Sequence, residues 1–549
     1  MRLSRTLLSA AMLLSGVAIA AAPAIAMPDI ADGYTLEPVT GPSPFHGVHG
    51  LTVTPEGRLL AGSVVGATLY EINRETGEVT IAEAAPDGMA DDVEQGPDGT
   101  LAWTAFMQGK VFARTPDGEL LTLAEGLPGT NSIAWTDDGR LFMTQVFAGD
   151  ALWELDPTGK TDPRLIMKDM GGLNGFDFGP DGQLYGPLWF KKQIARVNVD
   201  AGTLEVVAEG FQTPAAVNFN SKDELFVVDT QAGEVIRVEV ASGKKTVVAQ
   251  VKPAIDNLAF APDDTLYISN MADNAIIEVN VDTGESKALT SGPLSVAGDL
   301  ALSEDGKTIY VADVFSFRTI DVETGEVGEI ARVFAQEMDY PLSAAAAHGR
   351  IGVAGLTAGA IQLFDAPTGK SLGIHHGFTT PTETLPLEDG AVLVSEYARG
   401  AIVRVGPDDW ETRTDIADGL EGPAMMLTGP DNAVYFSETK GGRISRLTDS
   451  GGVEVVIDGL ENPEGFAFLA DGKIAVAEVA AHRITIADPA TGEKTVIASD
   501  LPFGIVPAEG PEVFLPTGIT ATPDGSIYFS SDYLAQVFRL SANGPAKAK

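Results

Sequence analysis

The sequence predicts an all-β chain folded as two tandem six-bladed β-propellers. Three observations carry that expectation: a twelvefold repeat, strand-like content in every copy, and chain ends that complement each other. A nine-residue phrase reads HGLTVTPEG from His49, DDVEQGPDG from Asp91, NSIAWTDDG from Asn131, NGFDFGPDG from Asn174, AAVNFNSKD from Ala215 and DNLAFAPDD from Asp256. Weaker copies begin at Gly298, Pro341, Thr382, Ala424, Glu464 and Thr517, in steps of 40 to 43 residues until a last step of 53. A strand-rich period of that size is the length of a propeller blade.

One copy shows the order of elements. NGFDF is an inner strand, GPDG a turn, QLYGPLW a second strand, QIARVNV a third, DAGT a turn and LEVVAEG a fourth. Alternating Val, Ile, Leu and aromatic residues between Gly- and Asp-rich turns favour short antiparallel strands. The recurring PDG, PTG and DTG triplets are read as tight turns in which Gly takes positive φ, and not as calcium loops.

The chain ends indicate closure. The twelfth copy stops after its third strand at Leu540, whereas YTLEPVTG near the start reads as a fourth strand without a copy of its own. One ring of twelve blades would leave a wide wet bore, so two rings of six are expected. Each is then sealed by three strands plus one: the segment from Tyr34 to Thr40 completes the sixth blade, and that from Ser286 to Thr290 crosses over to complete the twelfth. The expected limits are 27–283 and 284–541, with 542–549 as a tail.

Arg2 and Arg5 precede an apolar run from Leu7 to Ala20 and the small-residue pattern Ala24-Ile25-Ala26. This reads as a signal peptide cleaved near Ala26, hence a periplasmic or secreted protein without membrane insertion. The absence of cysteine excludes disulfides and thiolate chemistry. A net charge of −41 repels phosphates, which excludes nucleic acid as a partner.

The first residue of each copy enters an innermost strand, so six of them converge on each channel mouth. The first ring offers His49, Asp91, Asn131, Asn174, Ala215 and Asp256; the second offers Gly298, Pro341, Thr382, Ala424, Glu464 and Thr517, with one carboxylate. The polar set nominates the first ring. Oxygen donors of this kind suit a hard divalent cation, calcium first or magnesium, while the imidazole admits zinc or manganese as alternatives. The expected ligands are His49, Asp91, Asn174 and Asp256, with Asp256 and Asp91 as the catalytic carboxylates. Asn131, His46, Phe147, Trp189 and Lys191 are expected to line a substrate pocket, alongside Phe106, Phe190 and Lys192 on the same loops. His375 and His376, near Glu383 in the sequence, fall on opposite faces of a strand and make a poor joint site.

Asn174-Gly175-Phe176-Asp177-Phe178 resembles the Asn-Gly-Leu-Asp-Trp segment of the senescence marker protein/gluconolactonase family, and the repeats are similar in style to NHL and streptogramin-lyase repeats. The resemblance covers residues 45 to 297. It implies a six-bladed propeller with one divalent metal held by a Glu of the first blade, an Asn of the fourth and an Asp of the fifth, and a third-blade Asn facing the substrate. Asn174 matches the metal Asn and Asn131 the substrate-facing one. His49 and Ala215 depart from the Glu and the Asp, so Asp256 or Asp91 would have to serve from a neighbouring blade.

These parts lead to an exported, metal-dependent hydrolase of lactonase or esterase type acting on a small cyclic ester. No Gly-x-Ser-x-Gly phrase offers a serine nucleophile. The alternative is a non-catalytic periplasmic propeller that binds a small molecule or a protein, the second ring being the surface left for a protein partner. A streptogramin-type lyase is weaker, for want of a His-x-Glu-x-His arrangement.

Overall fold

The computed structural model describes residues 27–355, 357–448, 451–504 and 516–542. The signal-peptide segment and the tail from 543 lie outside the described residues. No helix among those described is long and apolar enough to cross a membrane.

Among the described residues the chain is all-β, built of twelve antiparallel sheets of four strands, one of them with a fifth strand added. That construction fits a β-propeller. The sheets, numbered in chain order, begin with innermost strands at Val48–Val53, Val93–Gln95, Thr130–Trp135, Asp177–Phe178, Pro214–Phe219, Ile255–Phe260, Leu300–Leu302, Pro341–Ala347, Pro381–Pro386, Pro423–Thr428, Pro463–Phe468 and Ile519–Ala521. Local turn chemistry sets this rhythm. In the second copy Gly99 stands at φ +87, its amide bonds Gly96 O at 2.9 Å, and Asp98 Oδ1 accepts the Thr100 amide at 2.9 Å. The Asp of the repeated PDG is therefore a turn residue, as expected.

Neighbouring sheets bury apolar side chains between them. Phe45, Val48, Leu51 and Tyr70 pack with Ala259, Tyr267 and Ile276, which joins sheet one to sheet six. Leu300, Ile309 and Val311 pack with Tyr528 and Val537, which joins sheet seven to sheet twelve. Innermost strands follow the same pairings: Val48–Val53 packs on Ile255–Phe260, and Leu300–Leu302 on Ile519–Ala521. Glycine permits the closest approaches. A Cβ on Gly50 would meet Asp91 O at 2.5 Å, and one on Gly518 would meet Leu300 N at 2.2 Å.

The strand exchange expected at the two closures does not occur. Ser286–Thr290 stays in sheet six, paired with Ala275–Val279. Tyr34–Pro38 instead pairs with Gln536–Ala542 of sheet twelve, and Asp29–Ile30 adds a fifth strand to sheet eleven beside Lys494–Ser499. The physical reason is chain economy. A tight turn at 280–285 delivers the fourth strand of sheet six to its own neighbour at small closure cost, leaving the edge of sheet twelve as the one the N-terminal strand must cover.

The two halves also touch. Arg318 donates from Nε to Asp313 Oδ2 at 2.8 Å and from Nη2 to the Ala272 carbonyl. Arg332 donates to Asp273 Oδ1 at 2.8 Å and to Pro253 O at 3.1 Å.

Candidate functional site

The residues that head the inner strands of the first six sheets do converge. Asp91 and Asp256 come into electrostatic contact, and burial, followed by the charge of Asp256, holds the Asp91 carboxyl well above its usual range. Burial raises Asp256 to about 7. Asn131 donates its Nδ2 to Asp91 Oδ2, and its Oδ1 accepts from Ser132 Oγ at 3.1 Å. The same hydroxyl lies 3.4 Å from Asn174 Oδ1. An arc of oxygens thus runs from Asp256 through Asp91 and Asn131 to Asn174, as the order of the copies implies.

His49 sits beside that arc. Its Nδ1 donates to Gly47 O at 2.9 Å, which leaves Nε2 as the acceptor, and burial lowers its pKa to about 4, so the ring is neutral. Among the described residues no three His, Asp or Glu side chains gather closely enough to hold a metal ion. A cation at this mouth would therefore rest on Asp91 and Asp256 together with neutral oxygens.

His46, expected to line the pocket, has both ring nitrogens hydrogen-bonded. Its Nε2 donates to Tyr533 O at 2.8 Å and its Nδ1 accepts from the Tyr70 hydroxyl at 3.2 Å. Nε2 thus ties the entry of the first sheet to the twelfth, while Nδ1 stays within the first.

Below the mouth the channel continues as an acidic cavity of about 130 Å³ lined by Asp92, Glu94, Asp177, Asn218 and Asn257. Asp92 accepts from the Ile133 amide at 3.2 Å and from Asn257 Nδ2 at 3.0 Å. Burial raises Asp92 to about 7 and Asp177 to about 6. The repeat had pointed to the first residue of each copy; these are second, fourth and neighbouring positions. Register shifts between Thr130 and Ile133 and between Ile255 and Leu258 show why strict alternation misleads here. A bulge turns consecutive residues toward one face.

The mouth is roofed by the second half, which no repeat signal foretold. Val314 and Phe315 form the tip of a hairpin in sheet seven, with Val314 at φ 45, a region a β-branched residue avoids. That turn sets the Phe315 ring edge-on to His49, centroids 5.3 Å apart. Tyr340 packs on Phe315 at 5.7 Å, near enough to Asp256 and Asp91 for their charges to raise its pKa, after burial. The expected pocket aromatics join the same wall. Phe147, 52% exposed, meets Phe106 at 6.3 Å, Trp189 at 5.4 Å and Phe190 at 5.8 Å, and Trp189 meets Phe334 of the second half at 5.8 Å. Lys191 ends the short turn Trp189–Lys191, its stem lying over Gly171.

The inner strands of the last six sheets bring in more than the one carboxylate expected there. Asp299 and Glu383, the second residues of their copies, meet there, with Glu464 farther off; burial raises Asp299 to about 7, Glu464 to about 8, and Glu383 well above its usual range. These groups have folded pKa values above their unfolded ones, so the stability they confer is complete below about pH 4 and is lost as pH rises through 7 to 8. Chelator-treated protein is expected to lose about 1 kcal/mol per carboxyl titrating near 7 between roughly pH 6.5 and 8.5. Denaturant unfolding at the two pH values measures it, and equal stability would refute the assignment.

No protein-family model matches the chain, and no curated protein matches it. Solved structures do. A candidate gluconolactonase is 16% identical over 48% of this chain and 95% of its own, with a TM-score of 0.37. Virginiamycin B lyase from Staphylococcus aureus is 15% identical over 68% of this chain and 96% of its own, TM-score 0.23. The extracellular domain of a candidate one-component system from B. thetaiotaomicron is 10% identical over 94% and 83%, TM-score 0.32. The likeness is to a gluconolactonase-like protein and other propeller proteins at low identity; residue roles come from this chain alone.

Proposed function

We propose that the protein is an exported hydrolase of lactonase type, acting on a small cyclic ester at the mouth of a first six-bladed propeller. Pairing of sheet one with six and of seven with twelve supports two rings of six. The division then falls just after Thr290, with the N-terminal strands serving the second ring. The leader-like residues before Met27 support export to the periplasm or beyond.

One observation carries the chemistry: Asp91 and Asp256 lie together, each partly buried, and among the described residues neither makes an ion pair. Two such carboxyls hold one proton between them near neutrality. Asp256, titrating near 7, is suited to take the proton of a water that attacks the ester carbonyl. Asp91, held protonated and fixed by the Asn131 amide, is suited to give its proton to the departing ring oxygen. The product hydroxy acid gains a carboxylate, which the acidic channel repels. With both carboxyls ionised, Asp91, Asp256 and the Asn174 amide oxygen would instead form a donor set for a hard cation, calcium first, which takes the place of the shared proton. Bound there, such an ion would supply a Lewis acid for the carbonyl. Phe147, Trp189 and Phe334 would hold an apolar or sugar face of the substrate.

The test is a panel of five- and six-membered lactones and aryl esters, assayed with chelator and with calcium resupplied. Turnover of a cyclic ester that calcium restores is the expected result. No turnover across the panel, with ligand binding still detectable by calorimetry, would replace the hydrolase by a binding propeller.

A further inference from the structure

We propose that the second half carries a divalent-cation site of its own, formed by the carboxylates of Asp299 and Glu383 with the hydroxyls of Ser343 and Thr517, and suited to calcium. It stands independently of the lactonase reading.

Asp299 immediately precedes the inner strand of sheet seven, Glu383 lies within that of sheet nine, and their side chains meet. Asp299 is 2% exposed and Glu383 is wholly buried. Backbone amides fix both from one side: Leu300 and Ala344 donate to Asp299 at 2.8 and 3.2 Å, and Thr384 donates to Glu383 Oε1 at 2.9 Å. Ser343, from sheet eight between them, places its Oγ 3.4 Å from Glu383 Oε1. Glu464 lies on the far side, its Oε2 accepting the Thr517 amide at 2.6 Å. Thr517 stands between Glu464 and Asp299, because the following Gly518 rests on the Asp299 backbone.

Two buried oxygens here have no hydrogen-bond partner: Glu383 Oε2 and Thr517 Oγ1. Among the described residues no Lys, Arg or His makes an ion pair with Asp299, Glu383 or Glu464. Buried carboxylates without a counter-charge must share protons or hold a cation. A shared proton would serve the carboxyl pair alone, and the Thr517 hydroxyl, which lies beside Glu464, would gain nothing from it. A cation uses all of these oxygens. Since no three acidic side chains gather, the shell would be two carboxylates completed by hydroxyls and water, which calcium's flexible coordination accepts and magnesium's strict octahedron accepts less readily. His375 and His376 take no part: they lie on the outermost strand Ser371–His376, and His375 is stacked on Trp410 at 3.9 Å.

Equilibrium dialysis of the full chain against radioactive calcium, up to about 10 mM to cover weak extracellular-type sites, decides the matter. Glu383→Gln and Asp299→Asn are each expected to lower the number of bound ions by one. Asp256→Asn reports on the first channel separately. Glu383→Gln also removes repulsion, so the calcium-free variant should melt above the wild type while the rise in Tm on adding calcium shrinks; this reads the site even where stoichiometry is hard to fix. An unchanged calcium count and an unchanged calcium-induced Tm rise in both Glu383→Gln and Asp299→Asn overturn the inference.

Discussion

Asp256→Asn is expected to lower kcat/KM for the responsive lactone by about 10² to 10⁴, the range lost with a general base. The substitution keeps the volume and removes the charge. It also removes the repulsion that helps raise Asp91, so Asp91 should ionise at lower pH and the residual activity should shift its pH profile to the acid side. A structural role alone would not move that profile. Folding should survive, since Asp256 makes no ion pair among the described residues and its raised pKa marks it as a cost to the folded state at neutral pH. Full activity with an unmoved profile would remove Asp256 from the site.

The second large effect concerns the joint between the halves. Arg318→Ala is expected to destabilise the protein by about 3 to 5 kcal/mol, the cost of stranding a buried charge. Asp313 is 0% exposed and Arg318 is its ion-pair partner at 2.8 Å, although the Ser295 and Val296 amides also serve it at 2.7 Å. The same guanidinium caps the Ala272 carbonyl of sheet six, so its loss also loosens the roof over the first channel. Arg318→Lys should recover only part, because an ammonium cannot fork between the carboxylate and that carbonyl. Denaturant unfolding measures the loss, and a change below about 1 kcal/mol would show that the amides alone satisfy Asp313.

Much of the candidate site was legible because it follows from repetition. Asp91, Asn131, Asn174 and Asp256 occupy one position of a repeated phrase, and a repeat that folds the same way each time must bring them to one place. The hydrogen bonds of His46 were not legible for the opposite reason. Its partners, Tyr70 and the carbonyl of Tyr533, lie 24 and 487 residues away, and nothing local announces them. Asp299 and Glu383 were passed over because they sit one position beyond the template. The register shift between Pro381 and Glu383 turns Glu383 inward where alternation would turn it away.

By itself the sequence determined the strands, the turns, their period and the polar arc, since alternation and Asp-Gly turn chemistry act over a few residues. Only the tertiary structure decided which edges close, which half covers the first channel, and that both channels are acidic. Those outcomes depend on which unpaired edge or buried carboxylate finds a partner across the fold, and that choice is made by closure and burial between distant segments.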